Sequence, residues 1–150
     1  SLTFAFALCL VPCSLKAQAR VPEEILQKLD SLFPANDHVA WSKKRSTYTA
    51  DFIYQDLNVS MTFERNGKIT RSIQEIEQKN LPEHIALKVE KIYAHCKILY
   101  VIIRRRGAKM EYEIELMKGS NLYIDNFDKK GRLVDVSELY KNSIFFPIVN

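Results

Sequence analysis

Two periodicities divide the chain. Between Pro22 and Pro34 the apolar residues Ile25, Leu26, Leu29, Leu32 and Phe33 recur at helical spacing, and Glu23 and Glu24 fall in the first turn, where a helix N-terminus favours acids. A proline is tolerated at such a start, and Pro34 ends the run. Pro82 and Glu83 open a second helix whose stripe is Ile85, Val89, Ile92 and Tyr93, stopping before Cys96. Stripes of this width are core faces. The other segments alternate: Tyr48, Ala50, Phe52 and Tyr54 against Thr49, Asp51 and Gln55, then Val59, Met61 and Phe63 against Ser60, Thr62 and Glu64. Met110, Tyr112, Ile114 and Leu116 interleave with Glu111, Glu113 and Glu115, the pattern of an antiparallel strand with one dry face and one wet face.

Cross-strand partners in a hairpin have a constant sum of residue numbers, so the alternation also predicts registers. Leu99 with Leu116, Val101 with Ile114 and Ile103 with Tyr112 share one sum and leave Gly107-Ala108 as a two-residue loop, glycine first. The same register sets Arg104 opposite Glu111. Val39 with Phe52 and Trp41 with Ala50 centre a turn on Arg45-Ser46, and Phe63 with Ile69 makes Gly67 the left-handed residue of a bulged turn. A slip of one residue would expose every apolar side chain of a strand.

Phe63-Glu64-Arg65-Asn66-Gly67-Lys68-Ile69 returns in kind as Phe127-Asp128-Lys129-Lys130-Gly131-Arg132-Leu133, and Val21-Pro22-Glu23-Glu24-Ile25 as Leu81-Pro82-Glu83-His84-Ile85. The expected fold is therefore α+β: two repeats, 21–76 and 81–139, each a helix followed by a four-stranded antiparallel meander, with the helices packed on one face of the sheet. The apolar tail Ile144-Phe145-Phe146-Pro147-Ile148-Val149 is expected to pack on the core, add an edge strand or bind a partner.

Composition narrows the setting. The chain has 150 residues, 47% of them hydrophobic and 27% charged, enough for one modest core within a single domain spanning 20–150. Leu2 to Pro12 is an apolar run too short to span a bilayer, and Ala17-Gln18-Ala19 follows as a cleavage pattern, so 1–19 reads as a signal peptide. A lipid anchor at Cys13 is the rival, although Pro12 fits such a site poorly. Cleavage after Ala19 leaves Cys96 without an internal disulfide partner. The net charge of +4 is small and dispersed, which argues against nucleic acid as a partner. Arg104-Arg105-Arg106 precedes three glutamates and reads as a solvated hairpin tip.

Little in the chain suggests chemistry. His38, His84, His95 and Cys96 lack metal-ligand spacing, and His95 and Cys96 diverge by about 100° on a helix. Cys96 has no base aligned on it, so it reads as a buried thiol. The glutamates read as a solvated strand face. Nucleotide and hydrolase motifs are missing. No catalytic residue, metal or cofactor is assigned. Tyr100, Ile102, Arg104, Glu113 and Tyr123, with Ile53 nearby, are the candidate partner-binding residues, because aromatic and arginine side chains concentrate at interface centres.

The Val21-Pro22-Glu23 helix start, Phe33-Pro34-Ala35, Trp41, the tyrosine-rich strand and Phe63-x-x-x-Gly67 resemble the PepSY-like family of secreted, β-lactamase-inhibitor-like proteins. The resemblance runs from about Val21 to Leu139. It implies a helix-and-sheet repeat, a periplasmic or surface setting in Bacteroidetes-type bacteria, a binding or inhibitory role, and no catalytic residues. In the inhibitor fold the open face of a long sheet meets the partner. The second copy departs from the pattern, with Tyr93-Ala94 in place of Phe33-Pro34 and no tryptophan after it. The expected function is a non-enzymatic secreted binding module whose open face recognises a protein or peptide of the cell envelope, such as an envelope peptidase or hydrolase. The alternatives are a metal- or thiol-dependent envelope enzyme using Cys96, His95 or the glutamate strand, and a structural envelope protein that self-associates.

Overall fold

The computed structural model describes residues 20–36 and 38–139. The expected signal peptide, 1–19, and the apolar tail lie outside these residues. Helices α1 (Glu23–Leu32) and α2 (Glu83–Ile92) each start directly after a proline, and neither has a side chain capping its free N–H groups. Glu23, Glu24 and Glu83 offset the positive end of each helix instead. Both helices close on a buried aromatic residue: the Phe33 N–H donates to the Leu29 carbonyl and the Tyr93 N–H to that of Val89. The buried stripes are Ile25, Leu29 and Phe33 on one helix and Ile85, Val89 and Tyr93 on the other. Leu32 and Ile92, expected within them, are largely exposed. Each stands about 100° from the aromatic that follows it, outside a stripe only one residue wide per turn.

The strands are β1 (Ala40–Lys44), β2 (Thr47–Tyr54), β3 (Leu57–Glu64), β4 (Ile69–Ile76), β5 (Lys97–Arg106), β6 (Lys109–Lys118), β7 (Asn121–Asp128) and β8 (Leu133–Leu139). They form one antiparallel sheet in the order β1-β2-β3-β4-β5-β6-β7-β8. This overturns the expectation of two repeats, each a helix with its own four-stranded meander. Strand β4 pairs with β5 from Arg71↔Arg106 to Ile76↔Val101, so the sheet runs through without a break. The physical reason is the edge: two separate meanders would each leave β4 and β5 with a row of unpaired backbone groups, which the joint ladder satisfies.

Individual hairpins follow the expected arithmetic. Trp41 pairs with Ala50 around the Arg45-Ser46 turn, Phe63 with Ile69 beside a bulge, and Val101, Ile103 and Arg104 with Ile114, Tyr112 and Glu111. Two expected pairs are not found: Val39 lies before β1, whose ladder starts at Ala40↔Asp51, and a register shift between Ile98 and Tyr100 gives Leu116 to Ile98 instead of Leu99.

Because cross-strand partners share a face, the ladders also locate the core. Val59, Met61 and Phe63 lie under α1 with Tyr48, Ala50 and Phe52. Through Gln74↔Ile103 and Ile76↔Val101 the same face continues to Val101, Ile114, Leu116 and Phe127 under α2. Both helices therefore cover one side of the sheet, over separate hydrophobic cores, and among the described residues the other side is left open. The β3–β4 turn is drawn up against α1: Gly67, at φ 80°, places its backbone where a Cβ would be 3.2 Å from the Glu24 carbonyl oxygen.

Candidate binding face

One row of partners crosses the open side: Ile53 faces Asn58 on β3, Glu75 on β4 faces Ile102 on β5, Ile102 faces Glu113, Glu113 faces Asn126, and Asn126 faces Asp135. Asn58 links the first two pairs, donating to Glu75 Oε2 from both its backbone N–H and its side-chain Nδ2, at 3.2 and 2.7 Å. Eight strands at a spacing of about 4.8 Å, each some 24 Å long, give this side a footprint of roughly 800 Å², what one partner contributes to a standard interface.

Four of the five expected residues share this side. Tyr100 is 45% exposed, and Ile102 beside it is half-buried. Arg104 forks onto Glu113, its Nε donating to Oε2 and its Nη2 to Oε1, both at 2.8 Å. Arg104 faces Glu111 across the ladder, yet the side chain reaches diagonally past it to the carboxylate flanked by Ile102. That hydrogen bond holds the guanidinium in its charged form against partial burial. Glu115 lies between Tyr100 and Ile124. Burial, and then the charge of Glu113, push its carboxyl above the usual range, while Arg104 acts the other way.

Tyr123 does not belong to this group. It pairs with Leu116 and so points to the helix side, where its ring lies 5.0 Å from that of Tyr93. Leu122 and Ile124 take the open side in its place. Ile53 stands on the open side, 64% exposed, three strands away from Ile102. Arg71, Ile73 and Glu75 on β4 were not foreseen. The bulge beside Phe63 puts Arg71 opposite Thr62 and sets the facing of the whole strand. Arg71 then faces Arg106, and Arg106 faces Lys109, so three cations share a row in which Glu111 pairs with Lys109 at 2.7 Å. Like charges directly opposite one another destabilise a sheet, which makes this end of the face a place to receive negative charge.

The residues considered for chemistry stay apart from one another. No group of three His, Cys, Asp or Glu side chains suited to a metal ion occurs among the described residues. His38 and His95 are exposed, and His84 Nε2 lies 3.3 Å from the Lys129 carbonyl. Cys96 is half-buried against the second core; burial, and then Glu90, push its thiol up, away from the reactive thiolate. Asp125, on the helix side, is a buried acid that the sequence did not flag. It is fully buried, accepts a 3.1 Å hydrogen bond from the Tyr93 hydroxyl at Oδ1, and has no partner at Oδ2 among the described residues.

Solved structures superpose on this fold. The chain shares its fold with proteins of Bacteroides. A Bacteroides eggerthii protein assigned provisionally to the periplasm superposes with a TM-score of 0.61 at 15% identity, over 81% of this chain and 91% of that one. A DUF2874 family protein from Bacteroides uniformis gives 0.59 at 17% identity, over 78% and 88%. A BLIP-like protein from Bacteroides fragilis gives 0.59 at 19% identity, over 79% and 87%. At these identities the likeness is one of fold. No protein-family model matches the sequence, and neither does any curated protein. No described helix is long and apolar enough to cross a membrane.

Proposed function

We propose that the chain is a secreted, non-enzymatic binding module of the bacterial envelope, of the PepSY-like and β-lactamase-inhibitor-like kind, which docks a protein or peptide on the open side of its sheet. The observation that carries this reading is the juxtaposition on that side of exposed Tyr100, half-buried Ile102 and the Arg104–Glu113 fork, with neither helix over them. An aromatic, an aliphatic and an oriented arginine at the centre of an open face are what an interface core uses. The Arg71–Arg106–Lys109 row favours a partner that brings acidic side chains to one end. The periplasmic assignment of the structural neighbour from Bacteroides eggerthii supports the location, and inhibition of an envelope peptidase or hydrolase is the finer form of the proposal.

The test is capture from an envelope extract on immobilised protein, followed by purification of the captured partner and measurement of its Kd. Tyr100→Ala and Arg104→Ala should each weaken binding at least tenfold, the cost of losing one interface anchor. Affinity unchanged in both variants rules out this face. Concentration-dependent light scattering without a captured partner would favour self-association instead.

A further inference from the structure

On the helix side, the sheet turns polar between the two cores. Strand β4 is the cause: it sets Ser72 beside Met61 and Gln74 beside Val59 where its neighbours are apolar. Helix α1 packs over β2 and β3 and helix α2 over β5 to β7, so among the described residues the strip above β4 stays uncovered. It forms a cleft of about 480 Å³, within the range of small-molecule sites. Leu32, Phe33, Val59 and Met61 wall one end, and Arg105, the cross-strand partner of Ser72, stands at the other.

The polar groups of this cleft have unused hydrogen-bonding capacity. Ser72 is only 7% exposed, yet its hydroxyl has no hydrogen-bond partner among the described residues. Gln74 is half-buried and equally unpartnered, and Arg105 forms no ion pair among these residues. No Asp or Glu among the described residues lines the cleft. An apolar pocket that ends in a buried hydroxyl donor and a free guanidinium is complementary to an apolar body ending in a planar anion.

We propose that the cleft binds a small amphipathic carboxylate. Its hydrocarbon part rests on Phe33, Val59 and Met61, and its carboxylate accepts hydrogen bonds from the Arg105 guanidinium and the Ser72 hydroxyl. This site lies across the sheet from Tyr100, Ile102 and the Arg104–Glu113 fork, and Arg71, which also belongs to the cationic row of the open face, lines its rim.

The experiment is an NMR titration of the isotope-labelled full chain with octanoate, and with 1-octanol and octylammonium as controls. Octanoate should shift the Ser72 and Gln74 amides and the Met61 methyl saturably, and both controls should bind at least tenfold more weakly. Arg105→Gln, an exposed position that should leave the fold intact, should raise the octanoate Kd about tenfold or more, as expected for losing a charged hydrogen bond. Ser72→Leu, which fills the floor, should abolish binding; if that variant fails to fold, Arg105→Gln decides alone. Shifts confined to the open face, the absence of saturation, 1-octanol binding as tightly as octanoate, or an unchanged Kd in Arg105→Gln would each overturn the proposal.

Discussion

Gly67→Ala and Gly107→Ala place the same methyl group in two different surroundings. Both glycines hold left-handed backbone, at φ 80° and 55°. Forcing alanine there costs about 1–2 kcal/mol, offset by about 0.4–1 kcal/mol because alanine restricts the unfolded chain. At Gly107 nothing lies within 4 Å of the new carbon, so the net loss should stay near 1 kcal/mol. At Gly67 the carbon meets the Glu24 carbonyl oxygen at 3.2 Å and its carbon at 3.6 Å. These are backbone atoms, which cannot rotate away. Relief requires the first turn of α1 to move by some tenths of an ångström, and the next residue, Ile25, is fully buried in the core. Well-packed interiors resist such shifts at about 1–3 kcal/mol, so Gly67→Ala should cost about 2–4 kcal/mol in total. Urea unfolding of both variants measures the difference, with an unchanged slope confirming that only stability has moved. Equal losses in the two variants would show that the contact between turn and helix contributes nothing and would refute the reasoning.

Three further outcomes follow from the buried and paired charges. Burial raises the Asp125 carboxyl, with the Tyr93 hydrogen bond opposing; with the folded value above the unfolded one of about 3.9, its contribution is complete below that pH and is lost as pH rises through the folded value. Asp125→Asn should therefore flatten the decline in stability above about pH 4, and parallel pH profiles of wild type and variant in urea unfolding would contradict this. Arg104→Ala should raise the Glu115 carboxyl further, because Arg104 is what lowers it; carbon-13 titration of the glutamate carboxyls reads the midpoint, and a downward move would be the wrong sign. Native Cys96 should react slowly with a thiol reagent at pH 7 and at the ordinary rate in urea, since burial raises its thiol; fast native labelling would revive the thiol-enzyme reading.

Local pairings were legible in the chain because a period of two, bounded by a short turn, leaves one register that buries the apolar set. That logic recovered Trp41↔Ala50, Phe63↔Ile69 and Val101↔Ile114. It could not reach the β4–β5 ladder, whose strands are separated by α2 and joined by tertiary packing alone. Tyr123 was misplaced because both faces of β7 carry apolar residues, Leu122 and Ile124 against Tyr123 and Phe127, so alternation has no contrast to read. Strand β4 reverses the usual assignment, with Ile73 facing outward and Ser72 and Gln74 toward the helices; a pattern rule that sends apolar residues inward hides the cleft. Of the candidate binding face, Tyr100, Ile102, Arg104 and Glu113 were readable because they share the one hairpin whose glutamates mark the wet side.

The sheet order has a consequence for how the molecule is made. Every strand bonds only to those just before and after it in the chain. Most pairings then close loops of a few residues, which keeps the entropy of closure small and favours rapid folding for a β-rich protein. The β4–β5 step is the exception, because twenty residues and α2 intervene between Ile76 and Lys97. Strands can add hairpin by hairpin on either side of that step, and bringing β4 to β5 is the slow event that unites them. An end strand, in turn, can detach with the loss of one ladder while the rest of the sheet keeps its pairings.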